Sequence, residues 1–523
     1  AALYFLTHYI DLSIFAMNIS TMLGLGLGID YSLLLISRFR EEIARDGDVL
    51  RSIETTVSKA GKAVFFSGAI VVIGLSGMLT FPFVALRSLA YGGMIVVSFS
   101  MLAALTLVPA ALGVLGPRIN RLAVRRNGAT GGSGGFWQRL AKTVMRHPVV
   151  VIAVVLAIVF TFASPLLRIE LGTPDASVLP AELASRQGAD LLKSEFGEGE
   201  TSPILIVLGS DSDMLSPGNV GAAYDLTKKL EADSRVKRVD GLFNLDPRLT
   251  REQLVALYSG PRPIAVPALA LAVDKMSTKN ITYLSVVGKL PPMSKDARKL
   301  VSELRAMNPG GDLTIQVGGL TAIAIDMEKS LYADFPKAIA IVVAATFIAL
   351  LILFRSVVLP LKAVVVNTLS IAASYGVLVF IFQDGNLSNL LHFTPQGHID
   401  STLPIMLFCI LFGLSMDYEV FLLTRVKEAY DQTGNNEQAI VIGLERTGRI
   451  ITSAAAVMVA VTLSFGMTDL IPIKAMGIGA AIAIALDATI VRALLVPATM
   501  RLLGEWNWWA PGFIKERRGI NID

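Results

Sequence analysis

The sequence predicts a polytopic α-helical membrane protein made of two pseudo-symmetric halves, with one extracytoplasmic α+β domain of ferredoxin-like βαβ type. Three observations predict it. The chain of 523 residues is 53% hydrophobic and 17% charged, with a mean hydropathy of +0.61, a balance outside the range of ordinary globular domains. Apolar runs long enough to cross a bilayer as helices recur along it. A polar motif inside one of these runs returns near the other end of the chain at a constant offset.

The apolar runs cover about 19–37, 63–81, 89–112, 149–167, 337–355, 358–382, 402–424, 450–468 and 476–503. Basic residues set their direction, because cytoplasmic loops carry an excess of Lys and Arg. Arg38, Arg40, Arg45, Arg51, Lys59 and Lys62 follow the first run. Arg118, Arg121, Arg125, Arg126, Arg139, Lys142 and Arg146 lie between the third and fourth, and Arg355 and Lys362 flank the turn between the fifth and sixth. Arg425 and Lys427 follow the seventh, and Lys515, Arg517 and Arg518 end the chain. Successive crossings place all of these on one side, the cytoplasm. Residues 118–147, with the Gly- and Ser-rich stretch Gly128 to Gly135, read as a basic, flexible cytoplasmic linker between the halves. Trp506, Trp508 and Trp509 read as an interfacial aromatic belt.

Residues 169–336 then fall outside the cytoplasm, enough for one domain. Pro203 to Leu208 reads as a buried strand, Gly218 to Ala232 as a helix and Val236 to Val239 as a strand. Ile281 to Val287, Lys295 to Met307 and Leu313 to Val317 repeat the order strand, helix, strand. Two such units predict the split βαβ layer. Asp246 to Lys279, with Pro261, Pro263 and Pro267, reads as an insertion.

The repeated motif is Gly28-Ile29-Asp30-Tyr31, matched by Ser415-Met416-Asp417-Tyr418. Seven residues after each Asp comes a hydroxyl and then an arginine, Ser37-Arg38 and Thr424-Arg425. The offset of 387 also carries Gly61-Lys62 onto Gly448-Arg449. With one inserted residue, Ser76 matches Ser464, and Leu107 to Ala110 matches Leu495 to Ala498. An acid in hydrocarbon is costly and marks a functional site by default. Its duplication points to a transporter with two related halves.

Asp30 sits eleven residues into its apolar run and Asp417 about fifteen, so both fall near the bilayer centre. Helical spacing aligns Asp30 with Ser37 and Asp417 with Thr424. Gly24, Gly26 and Gly28 precede the first acid and Gly413 the second, so close helix packing is expected to bring the two Asp-Tyr pairs together. Desolvation and a neighbouring carboxylate both favour the protonated acid, and two acids in one site titrate as a pair. Asp30, Tyr31, Asp417 and Tyr418 are therefore the expected proton relay, with protons as the coupling ion and no other cofactor. Asp487 and Arg492, five apart in the last run, are expected on different faces of their helix, where either can pair with another helix; Asp487 either supports the relay or pairs with Arg492 or Lys474. The first half has no matching charges between Phe99 and Ala104. Ser67, Ser76, Ser453 and Ser464 are possible extensions of a polar path.

Other function classes find little support. The net charge of +4 is small and its basic residues cluster at helix ends, which argues against nucleic acid as a partner. A single cysteine, Cys409, leaves no disulfide within the chain, and His8, His147, His392 and His398 have no ligand spacing, so no metal site is expected. Gly24 to Gly28 is one residue short of a dinucleotide fingerprint. Gly443 to Gly448 has phosphate-loop spacing, but Arg449-Ile450 stands where Lys and Ser or Thr belong. An enzyme is not expected.

Gly26 to Glu41 (GLGIDYSLLLISRFRE), Gly413 to Glu428 (GLSMDYEVFLLTRVKE), Thr447 to Ile451, and Leu486 to Thr489 with Arg492 and Pro497 resemble the MMPL family of the resistance-nodulation-division (RND) superfamily. The resemblance implies twelve membrane helices, two outer porter domains and proton-driven export of lipids or other hydrophobic molecules across the cytoplasmic membrane. It implies cross-pairing of Asp30 with Tyr418 and of Tyr31 with Asp417. On that frame, 1–117 holds the tail of the third helix and helices four to six, 148–168 the seventh, 169–336 a porter domain, 337–505 helices eight to twelve, and 506–523 a cytoplasmic tail. The chain opens on Ala1-Ala2-Leu3 without Met, and residues 148–387 have no first-half counterpart, so an N-terminally truncated piece lacking about 240 residues is expected. The expected partners are membrane lipids or lipid-like substrates, together with a missing N-terminal half or a second copy. Competing readings are a lipid-sensing or scaffolding protein, a protein-export accessory and an inactive fragment.

Overall fold

The computed structural model describes residues 2–120, 135–259 and 267–511. Gly128 to Gly134, Arg121, Arg125, Arg126, Pro261, Pro263 and the terminal Lys515, Arg517 and Arg518 lie outside the described residues. The chain divides into two compact units, Ala1–Leu171 with Ala333–Asp523, and Gly172–Tyr332.

The first unit is a helix bundle. Among the described residues of the chain, nine helices are long and apolar enough to cross a membrane. Three precede residue 121: α1 (Phe15–Asp46), α2 (Val49–Thr80) and α3 (Val84–Ile119). An amphipathic helix, α4 (Phe136–Arg146), comes before the fourth candidate span, α5 (Pro148–Arg168). Five short helices of the second unit are α6 (Ala184–Phe196), α7 (Pro217–Glu231), α8 (Arg251–Tyr258), α9 (Pro267–Met276) and α10 (Lys295–Arg305). The remaining spans are α11 (Leu320–Phe354), α12 (Val358–Gln383), α13 (Leu403–Thr433), α14 (Asn436–Gly466) and α15 (Ile471–Trp508).

These spans overlap the apolar runs and extend past them into polar residues, α2, α11 and α14 beginning well before the predicted 63, 337 and 450. The extension places Asp30 sixteenth in α1 and Asp417 fifteenth in α13, so the two acids sit at matching depth rather than four residues apart. Helix α11 begins at Leu320, so residues expected at the end of the outer domain already belong to a long helix. The linker reading of 118–147 is corrected over 136–146. Ala141 and Val144 of α4 are buried, and Trp137 covers Gly448, where a Cβ would come within 2.4 Å of the indole. The aromatic-belt reading is corrected at Trp508, which stacks on Tyr430 at 4.4 Å and donates to Asn436 Oδ1. Trp506 and Trp509 remain exposed.

Helix α13 is the centre of the bundle, with nearly every side chain from Leu403 to Val426 buried. Gly413 makes this possible on the side of α2, where an added Cβ would fall 2.9 Å from the Val71 backbone. Gly74 of α2 meets the Cys409 carbonyl in the same way at 2.7 Å. The packing role expected for the α1 glycines differs. Gly24 admits Val96 of α3 and Gly26 admits Met458 of α14, whereas Gly28 has nothing within 4 Å of the position a Cβ would take. The glycines thus seat α1 on its flanking helices and not on α13.

The second unit has a four-stranded sheet with β1 (Ile204–Ser210), β2 (Val236–Gly241), β3 (Ile281–Gly288) and β4 (Leu313–Gly318). The spatial order is β2-β3-β1-β4 with every neighbouring pair antiparallel. Ile204, Ile206 and Leu208 alternate with more exposed positions, so one face of β1 is buried. That face packs with Val220 and Leu226 of α7 and Leu300, Val301 and Leu304 of α10 in one core. The proline-containing insertion supplies α8, whose Thr250 and Gln253 form a capping box.

Gly413→Ala forces α2 and α13 apart and is expected to cost about 1–3 kcal/mol, seen as a lower thermal midpoint in detergent or vesicles. Gly28→Ala, which meets nothing within 4 Å, leaves the midpoint unchanged or slightly higher.

Candidate functional site

The two Asp-Tyr pairs meet inside the bundle, and all four residues are at most 5% exposed. The Tyr418 hydroxyl donates to Asp30 Oδ2, linking residues 388 apart in the chain. The reciprocal contact is incomplete. Tyr31 lies close enough to Asp417 and Ser67 to interact with both, but its buried hydroxyl closes no hydrogen bond. One oxygen of each aspartate is likewise buried without a hydrogen-bond partner. The arrangement is therefore asymmetric, with Asp30 engaged by the opposite half and Tyr31 unengaged.

The structure bears out the pairing of Asp487 with Arg492 and corrects only the expectation that the helix turns them to different faces. Residues Asp487–Leu495 form a π-helical segment. There the hydrogen bonds run between residues five apart, so such residues share a face. Arg492 consequently pairs with Asp487. It also donates to the Ser415 carbonyl and lies over the Tyr418 ring, 4.8 Å from its centroid. One guanidinium thus touches both the π segment and the tyrosine that holds Asp30. Lys474 is occupied elsewhere, donating to the carbonyls of Leu391 and His392.

A further buried pair was missed in sequence. Lys362 of α12 and Glu419 of α13 lie 3.5 Å apart, each less than a tenth exposed. Lys362 flanks the turn between α11 and α12, and its side chain is buried in the bundle. Glu419 directly follows Tyr418, and its first-half equivalent is Ser32, which bonds to its own helix at Gly28. Around the two tyrosines the described residues thus place four carboxylates and two cations. Lys362 matches Glu419 and Arg492 matches Asp487, while Asp30 and Asp417 form no ion pair among the described residues, Arg492 acting on Asp417 from farther away.

The supporting hydroxyls are less engaged than helical spacing suggests. Thr424 donates to the Val420 carbonyl of its own helix, and Ser37 is half-buried. Ser76, Ser453 and Ser464 also bond to their own backbones. Ser67 differs, because its buried hydroxyl has no hydrogen bond and sits beside Tyr31.

Two helical turns beyond the acids, the halves are crossed again by charge. Arg38 meets Glu428 at 3.3 Å and Arg425 meets Glu41 at 3.1 Å. The offset of 387 converts the first pair into the second. Glu42 at 2.5 Å from Arg38, and Lys59 at 3.3 Å from Glu428, complete the network. The basic residues were visible as topology signals. Their carboxylate partners Glu41 and Glu428 close the two repeated motifs.

The MMPL family profile matches residues 1–151 and 177–521. A protein of Streptomyces coelicolor named as a membrane protein is 35% identical over 523 residues, covering 99% of this chain and 67% of its own length. The trehalose monomycolate exporter MmpL3 of Mycobacterium tuberculosis is 32% identical over 526 residues, covering 95% of this chain and 53% of its own length. The mycolic acid-containing lipids exporter MmpL11 of Mycolicibacterium smegmatis is 32% identical over 522 residues, covering 98% and 51%. The chain thus spans about half the length of these two exporters.

Arg492→Met leaves Asp487 buried and unpaired and is expected to destabilise the bundle by about 3–5 kcal/mol, measured by thermal or denaturant unfolding. Adding Asp487→Leu removes the orphaned charge and recovers most of the loss. Arg38→Glu places four acids together, with Glu41, Glu42 and Glu428, and lowers the midpoint. Combining it with Glu428→Arg restores the crossed pair and recovers at least half of the loss.

Proposed function

The chain belongs to the MMPL family, and from that premise we propose that it is a proton-driven exporter of lipids or other hydrophobic molecules across the cytoplasmic membrane. The observation that carries the reading is the Tyr418–Asp30 hydrogen bond between the halves, in a site where, among the described residues, Asp30 and Asp417 are the two carboxylates that form no ion pair. With the other charges matched, ionising both acids leaves two negative charges in an apolar bundle. Two protons neutralise them. The membrane potential favours inward proton movement by about 2.3 kcal/mol per charge per 100 mV.

In this mechanism the ionised Asp30 accepts from Tyr418 and holds the halves in one arrangement. Protonation weakens that acceptor, frees Tyr418 and lets Tyr31 engage Asp417. Arg492, fixed by Asp487 and the Ser415 carbonyl, keeps the Tyr418 ring in place through the exchange. Tyr31, Ser67 and the two acids form the proton path, and the crossed Arg–Glu pairs lie at its cytoplasmic end. Residues 169–336 act as an extracytoplasmic porter domain of ferredoxin-like type, supported by the order β2-β3-β1-β4 and its two strand-helix-strand units. The remaining domain reading, with helices eight to twelve over 337–505 and a cytoplasmic tail from 506, belongs to the same proposal. The substrate class follows the names of the mycobacterial relatives, which are exporters of mycolic lipids.

Proton flux in proteoliposomes tests the relay. Asp30→Asn or Asp417→Asn is expected to abolish flux with folding preserved. Tyr418→Phe is expected to slow it by about 10–100-fold, the loss of one hydrogen-bonding group in proton transfer. Unchanged flux in both Asn variants contradicts the relay and moves the reading to a lipid-sensing or scaffolding protein.

A further inference from the structure

Helix α4 runs directly into the span α5, with only His147 between Arg146 and Pro148. One side of α4 is spent on the bundle, where Ala141 and Val144 are buried and Trp137 covers Gly448 of α14. The other side is exposed and has a different chemistry. Arg139, Lys142 and Arg146 follow the spacing i, i+3, i+7, which sets three exposed cations in one stripe. No Asp or Glu occurs between Phe136 and Arg146. Phe136, one turn before Arg139, is 70% exposed. Beyond His147, the exposed Val149 and Val150 open the apolar surface of α5.

Many basic residues at the other helix ends are answered inside the protein. Arg38 and Lys59 meet Glu428, Arg425 and Arg446 meet Glu41, Lys427 meets Asp431 and Arg501 meets Glu437. The three cations of α4 form no ion pair among the described residues. Neither does Arg449, which is exposed and follows the Gly448 that Trp137 covers. A topology signal depends on the number of Lys and Arg and not on net charge, so paired residues such as Arg425 satisfy it. Unpaired cations on a packed helix, beside the start of a span, instead present a surface to an anion from outside. The anion at that depth is the phosphate of a lipid head group, which basic amphipathic helices bind while a bulky apolar side chain enters the acyl boundary.

We propose that the exposed face of α4, together with Arg449, is a docking surface for the head groups of anionic phospholipids in the leaflet where α5 begins. Arg139, Lys142 and Arg146 meet the phosphates, and Phe136 enters the boundary beside them. The surface goes beyond the export reading and is independent of it, because it uses no residue of the relay and binding needs no proton gradient.

The test uses the full chain in phosphatidylcholine nanodiscs that contain a trace of photoreactive lipid. The probe is either phosphatidylglycerol or phosphatidylcholine, each with a diazirine near the glycerol end of one acyl chain, and labelled residues are mapped by mass spectrometry. The anionic probe is expected to label α4 much more than the neutral one, while the two label the exposed Leu361 at the start of α12 alike. Changing Arg139, Lys142 or Arg146 singly to Gln lowers this preference about fivefold, the equivalent of about 1 kcal/mol per cation, and the triple variant abolishes it. Arg139→Lys with Arg146→Lys keeps the charge and keeps the preference, and circular dichroism with thermal unfolding identifies variants that fold. Raising salt from about 0.01 to 1 M shortens the Debye length from about 30 to 3 Å and lowers the preference. Equal labelling of α4 by the two probes, or a preference that survives in the folded triple variant, overturns the proposal. Displacement of the anionic probe by aqueous glycerol phosphate at the same concentration assigns the stripe to soluble anions and overturns it too. An α4 that neither probe labels points to an acidic protein partner instead.

Discussion

Charge inside a hydrocarbon-facing bundle has to be matched by opposite charge or neutralised by a proton, and this constraint organises the membrane part of the molecule. Lys362 answers Glu419, and Arg492 answers Asp487. Asp30 and Asp417 form no ion pair among the described residues, although Arg492 lies near enough to Asp417 to act on it electrostatically, and one of the two tyrosine hydroxyls is engaged. The half-closed arrangement, with Tyr418 on Asp30 and Tyr31 beside Asp417, supports the proposed relay over a static polar network.

The bundle around this centre is consistent with that role. Helix α13 is buried along most of its length and meets α2 through Gly413 and Gly74, where backbones touch. Helix α1 is seated through Gly24 and Gly26 on α3 and α14. The acids therefore do not face each other across one tight helix pair. They communicate through a tyrosine that spans the gap, which leaves room for a change in spacing. The crossed pairs Arg38–Glu428 and Arg425–Glu41 tie the same two helices together farther along.

Much of this was legible from residue pattern. Long apolar runs announced the nine spans, and the constant offset between Asp30-Tyr31 and Asp417-Tyr418 announced the meeting of the halves. The strand-helix-strand order of 203–317 was also readable, because β1 alternates and α10 carries its apolar residues on one face. What escaped depends on departures from regular geometry or on distant partners. Asp487 and Arg492 were assigned to different faces by a period of 3.6, and the π-helical turn reverses that conclusion. Lys362 looked like a flanking charge because nothing in the local sequence indicates Glu419, more than fifty residues away. Gly28, similar in sequence to Gly24 and Gly26, packs against nothing, since only the third dimension says which glycine faces a neighbour. Helix α4 was hidden within a basic stretch, its apolar face serving to cover Gly448.

The central claim is that Asp30 and Asp417 exchange protons as a coupled pair while the matched charges stay ionised. Infrared difference spectroscopy in vesicles, across a pH titration, tests it most directly. The account predicts protonated carboxyl bands that appear on acidification, with Asp30→Asn removing one and shifting the other, and with Glu419→Gln leaving both in place. Carboxyl bands that persist unchanged in Asp30→Asn and Asp417→Asn, or that vanish only in Glu419→Gln, would contradict it.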